Sequence, residues 1–207
     1  MIAIAAISLF DNEIRRAITD EFYFIPFIHT CLFHQHVGVR YAACQCVRAL
    51  SRAVTVLRTN IVDSGLGMTI FSIFKKREED ANVLNAALSA VCNIVIDFSP
   101  LRPVRSSYYF IPLCSADLGV EIYLEQGLME RLRELLSLGD PALKLGALWA
   151  VKNLLRKSTT ETKRSVMGQL GWDQVVEYVR FYQHLICADD VHQIFTRQSY
   201  RCSRTNI

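Results

Sequence analysis

"ALKLGALWAVKNLLRK", residues 142–157, reads as an amphipathic helix whose one tryptophan stands apart from the aliphatic residues. At about 100° per residue, Ala147, Leu148, Val151, Leu154 and Leu155 share one arc, and Trp149, Lys152, Asn153 and Arg156 share the opposite one. The aliphatic arc recurs elsewhere in the chain. "AACQCVRAL" from Ala42 and "AALSAVCNI" from Ala86 align with "GALWAVKNL" from Gly146. The matching arcs are Ala43, Cys44, Val47 and Leu50, then Ala87, Leu88, Val91 and Ile94, then Ala147, Leu148, Val151 and Leu154. The copies are 44 and then 60 residues apart.

A second marker runs beside the first. "VDSGL", "LEQGL" and "GQLGW" place glycines at 65, 127 and 171, with steps of 62 and 44 residues. Both long steps contain residues 94–126, and removing Val104–Gly119 brings each down to 44 or 46. The chain is therefore periodic at about 44 residues with one insertion. After each glycine comes an amphipathic helix, "GLGMTIFSIFKK" or "GLMERLRELLSL". A polar break follows, "REED" or "GDP", with Pro141 suited to the first helical turn. A longer helix closes each unit. A period of about 40–47 residues in an all-helical pattern predicts an α-solenoid of stacked helical repeats.

The composition agrees. Of 207 residues, 51% are hydrophobic and only 9 are glycine and 5 proline, so the chain is predicted globular and mainly helical. The net charge of +3 is too small to imply nucleic acid or membrane binding without a local basic patch. The seven cysteines, scattered through apolar helical patterns, read as buried reduced thiols. The apolar opening "MIAIAAISLF" has no basic flank and gives way at once to "DNEIRR", so neither a secretion signal nor a membrane span is expected.

Residues 139–144, "GDPALK", followed by Trp149-Ala-Val-Lys-Asn153, resemble the armadillo repeat, whose third helix commonly carries Trp-x-x-x-Asn. "HVGVRYAACQCVRALSRAVTVLRTNIVDSG", residues 36–65, with "LWAVKNLL", residues 148–155, resembles more narrowly the armadillo subunits of GID/CTLH-type ubiquitin ligases. The resemblance covers residues 22–103 and 120–178. It implies a right-handed solenoid of armadillo repeats and a non-catalytic scaffold for protein–protein interaction in protein degradation. The implied partners are ligase core and substrate-receptor subunits, and the implied setting is cytoplasm and nucleus. The alternative it leaves is an importin-α-like receptor for extended cargo peptides.

By the same resemblance, the arc opposite the aliphatic one lines a concave wall. There Trp149 would stack on a partner's side-chain stem, and Asn153, one turn on, would pair with its backbone. The other reading of the pair is structural, with Trp149 against the next helix and Asn153 on an inter-repeat carbonyl. The ladder is incomplete: Ser89 and Asn93 stand in the middle copy, Gln45 and Ala49 in the first. Arg48, Arg52, Lys152 and Arg156 give the wall a charge that suits an acidic or neutral segment and not a basic one. The expected binding groove is therefore Trp149, Asn153, Lys152, Arg156, Asn93, Ser89, Arg48 and Arg52.

No residues are assigned to catalysis, cofactor or metal, and no small-molecule substrate is expected. His29, Cys31, His34, His36, Cys44 and Cys46 lie close in sequence. Their spacing does not make two well-separated ligand pairs, and Cys44 and Cys46 fall on different sides of one helix, Cys44 on its core arc. No phosphate loop, nucleophile elbow or zincin motif occurs. "KKREED", 75–80, reads as a solvated turn, and "KSTTETKR", 157–164, as a polar loop between repeats.

Residues 1–21 read as a partial repeat helix, 104–119 as an insertion and 179–207 as an atypical tail. Both misfit stretches begin at a Val-Arg pair, Val104-Arg105 and Val179-Arg180, whose codons can spell a splice-donor sequence. Translated intron is the expectation for both, and the transcript sequence tests it.

Overall fold

Each long helix starts on a side chain that accepts its first unpaired N–H groups. His36 Nδ1 accepts the Gly38 N–H at 3.1 Å. Asp80 Oδ1 accepts those of Asn82 and Val83 at 2.9 and 3.3 Å. Asp140 Oδ1 accepts those of Ala142 and Leu143 at 2.8 and 3.1 Å. A cap of this kind contributes about 1 kcal/mol by satisfying donors the helix leaves open. The three caps stand 44 and 60 residues apart, the steps of the aliphatic arcs.

The computed structural model describes residues 1–21, 24–53, 65–97, 127–155 and 160–182. In chain order they form α1 (Ile2–Ile7), α2 (Asn12–Arg16), a π-helical turn (Ala17–Glu21), α3 (Phe24–Leu32), α4 (Val37–Leu50) and a 3₁₀ turn (Ser51–Ala53). There follow α5 (Leu66–Lys75), α6 (Ala81–Asp97), α7 (Leu128–Ser137), α8 (Pro141–Leu155), α9 (Thr160–Leu170) and α10 (Trp172–Tyr182). The described residues contain no strand. The insertion at 104–119 and the tail from residue 183 onward lie outside the described residues, and α10 carries the helix through Tyr182.

Glycines 65, 127 and 171, directly before α5, α7 and α10, have φ of 74°, 91° and 87°. That left-handed conformation costs an L-residue about 1–2 kcal/mol, which explains why the chain keeps glycine at each helix entry.

The long helices α4, α6 and α8 lie side by side, and α1 covers the other flank of α4. Helices α3, α5 and α7 form a second layer, each packed on the long helix that follows it. Beyond them α9 packs on α7, and α10 on α9. Contact runs from neighbour to neighbour along the chain, so the architecture is an all-α solenoid. All twelve residues of the predicted arcs are buried, at 4% exposure or less. From α5, Leu66, Ile70, Phe71, Ile73 and Phe74 complete the middle of the core. Gly146 lets α8 lie close on α6, since an added Cβ there would stand 2.6 Å from Leu88 Cδ2. Alanines 42 and 86 hold the equivalent places in α4 and α6.

Two sequence expectations need correction. Residues 160–164 are the opening turns of α9 and not loop, because a helix entry tolerates the polar residues that also mark loops. The "KKREED" turn is only partly solvated. The Glu79 side chain is 4% exposed and ion-paired to Arg40, 39 residues away. Cys44 and Cys46 do leave α4 in different directions, but α4 is covered on both flanks and each thiol is fully buried.

Candidate functional site

The α4–α6–α8 layer presents the arc opposite its aliphatic stripe. On α8, Trp149 remains 39% exposed, with Lys152 Nζ 4.1 Å from its ring centroid. A cation over an aromatic face is attracted by the ring quadrupole, which pairs the two side chains on α8. On α4, Gln45 Nε2 donates to the Tyr41 hydroxyl at 3.0 Å, and Arg48 Nη1 donates to Gln45 Oε1 at 3.3 Å. Arg48 and Arg52 are exposed. Ser89 on α6 is half-buried and donates to its own helix at Asn85 O, 2.9 Å.

The two asparagines do something else. Asn153 is 8% exposed, and its Nδ2 donates to Cys92 O on α6 at 2.9 Å. Asn93 Nδ2 donates to Arg48 O and Ser51 Oγ at 3.1 and 3.2 Å. Each therefore ties its helix to the preceding long helix, and the buried amide of Asn153 has its donor engaged within the chain. Trp149, Lys152, Arg48 and Arg52 share the accessible wall; Arg156 lies outside the described residues.

A row of arginine contacts runs along the turns that join the two layers, and no local sequence pattern marks it. Arg40 Nε and Nη2 meet Glu79 at 3.1 and 2.7 Å, while its Nη1 donates to His34 O and Gln35 O at 2.9 and 2.8 Å. One unit further, Arg131 Nε and Nη2 donate to Phe74 O and Lys76 O at 3.2 and 2.8 Å, and its Nη1 meets Glu134 at 2.8 Å. Arg77 is the second partner of Glu134. The available signal was opposite charge at turns one repeat apart. Burial pushes the Glu79 carboxyl up, but hydrogen bonds from Arg40 and the Asp80 N–H, with the Arg40 charge, hold it below the usual carboxylate range. Hydrogen bonds from Arg131 and then Arg77 hold the Glu134 carboxyl low as well.

The histidines near the cysteines have structural partners. The His29 ring meets Thr69 Oγ1 at 2.9 Å through Nε2, and His34 Nδ1 accepts the His36 N–H at 3.0 Å. Among the described residues no three potential metal ligands converge. Burial pushes the Cys44, Cys46 and Cys92 thiols up to about 12. A thiol so protonated is a poor nucleophile at neutral pH. N-ethylmaleimide at pH 8 should leave these three unmodified in the folded protein and label them in urea, as read by peptide mass spectrometry. Labelling of Cys44 at the denatured rate without urea would contradict its enclosure.

Stacked helix pairs in two layers, glycine-started second helices and a wall of long third helices give the described residues an armadillo-type helical-repeat fold. The chain is similar to GID complex subunit 5 of Schizosaccharomyces pombe, 27% identical over 177 residues, which is 86% of this chain and 20% of that protein. It is likewise similar to armadillo repeat-containing protein 8 of Xenopus laevis, 27% identical over 84% of this chain and 21% of that protein. The chain thus spans about a fifth of the length of the curated relatives it matches. No protein-family model matches it. Among solved structures, an engineered protein from the Northeast Structural Genomics Consortium superposes with a TM-score of 0.66 at 16% identity, over 93% of this chain and 67% of that one. A designed armadillo repeat protein in complex with the peptide (KR)4 superposes with a TM-score of 0.52 at 14% identity, over 93% of this chain and 87% of that one. Among the described residues no helix is long and apolar enough to cross a membrane.

Proposed function

We propose that the chain is a non-catalytic docking scaffold, part of the armadillo subunit of a GID/CTLH-type ubiquitin ligase. In this role it bridges core and substrate-receptor subunits in the cytoplasm and nucleus. The observation that carries the reading is Trp149. A large apolar side chain kept 39% exposed beside Lys152, on a wall whose other face is fully buried, has the character of a partner anchor. The similarity to GID complex subunit 5 supports the choice of complex. Arg48, Arg52 and Lys152 make the wall complementary to an acidic or neutral segment and repel the basic cargo that a transport receptor carries.

Affinity purification of a tagged copy, followed by mass spectrometry, tests this. Recovery of RING-bearing ligase subunits, lost in Trp149→Ala, is the expected result. Nuclear-transport carriers in their place would overturn it. Partner recovery unchanged in a folded Trp149→Ala variant would move the docking surface off this wall.

A further inference from the structure

We propose that a second surface, the crease between α7, the turn joining α5 to α6, and the start of α10, binds a short acidic segment of a partner protein. The crease is an open depression of about 530 Å³ lined by Arg77, Arg131, Arg133, Glu134, Leu138 and Gln174, among others. That volume lies in the range that receives a small ligand or two to three side chains. It is separate from the wall: it lies beside the start of α8, about two helical turns before Trp149.

Charge identifies the occupant. Three guanidinium groups and one carboxylate leave the crease at +2, in a chain whose net charge is only +3. Glu134 does not present a bare negative charge, because Arg131 and Arg77 both bond to it. Arg131 turns its remaining donors to the Phe74 and Lys76 carbonyls and so serves as a fixed base for the site. Arg133 is exposed, and its guanidinium has no ion-pair or hydrogen-bond partner among the described residues; only its backbone carbonyl is engaged, by the Ser137 hydroxyl. Its planar fork matches a carboxylate through two parallel hydrogen bonds. Leu138, 43% exposed, supplies an apolar wall beside it.

A nucleic acid fits less well. Its backbone asks for cations spaced along a track, one for each phosphate neutralised. Here the cations converge on one spot, a carboxylate sits among them, and one side is aliphatic. Two carboxylates flanking an aliphatic residue match that arrangement.

The test uses the full chain and a fluorescein-labelled peptide, GDELDEG, with GNQLNQG as the neutral control, read by fluorescence anisotropy at low salt. The acidic peptide is expected to bind in preference to the control and to weaken as salt is added. Arg133→Glu should weaken it about tenfold or more, and Leu138→Ser should weaken it less. Thermal melts verify that each variant is folded, and Arg133→Gln replaces R133E if that one is not. Equal binding of both peptides, no binding of either, or indifference to the Arg133 variants overturns the proposal. Tighter binding of a short oligothymidylate that displaces the peptide would reassign the crease to nucleic acid.

Discussion

Phe71→Ala is expected to destabilise the protein by about 3–5 kcal/mol, the usual loss for a large aromatic removed from a close-packed core. Phe71 is fully buried on α5, and its ring centroid lies 5.7 Å from that of Phe74. The lost transfer energy is compounded by the cavity, since α5 is held between its own long helix and α3 and cannot simply collapse inward. Against a total stability of about 5–15 kcal/mol for an ordinary domain, the loss is a large fraction. Urea unfolding followed by circular dichroism at 222 nm measures it. A shift under about 1 kcal/mol would mean the ring is not packed as described.

Arg40→Met is expected to cost about 2 kcal/mol at neutral pH, below the range for breaking a fully buried ion pair because Arg40 keeps some exposure. The Glu79 side chain is 4% exposed, and without Arg40 its carboxylate keeps its desolvation and loses its principal partner. The His34 and Gln35 carbonyls lose a donor at the same time. Adding Glu79→Leu should recover much of the loss, because the stranded charge goes with it. The pH dependence has a definite sign. A carboxyl held below its unfolded value stabilises the fold above that value, about 4.3, and the contribution is lost as pH falls through the lower folded value. In Arg40→Met the remaining burial raises the Glu79 carboxyl instead, so protonation relieves the variant. The gap between parent and variant should thus be widest above about pH 5 and narrow on acidification. A gap that stays constant across that window would mean Glu79 carries no buried charge.

What could be read in advance follows from which interactions are local. Aliphatic periodicity located Ala43, Val47, Leu88 and Val151 in the core, because a helix buries whatever recurs on one arc. The glycines at 65, 127 and 171 marked helix entries, because only a residue without Cβ takes positive φ freely. Angular position also separated Trp149 from the core. It could not decide the work of Asn153, since an outward-pointing amide serves a neighbouring carbonyl as readily as a partner's backbone. That choice depends on how far away α6 lies. Glu79 and Arg131 escaped notice for the same reason: their partners are 39 and 57 residues distant and meet them only once the units stack. The opening of α9 is not legible in composition, because threonine and lysine suit a helix start as well as a loop.

Gly146 has the widest reach of any small residue here. It lies one turn before Trp149, on the flank of α8 that faces Leu88, and it sets how closely α8 can lie on α6. A bulkier side chain there would act as a shim, widening the pitch between rows of wall residues while leaving each of them chemically intact. Spacing and surface chemistry can therefore be varied separately in this molecule, one from the flank where α8 packs on α6 and the other from its open face.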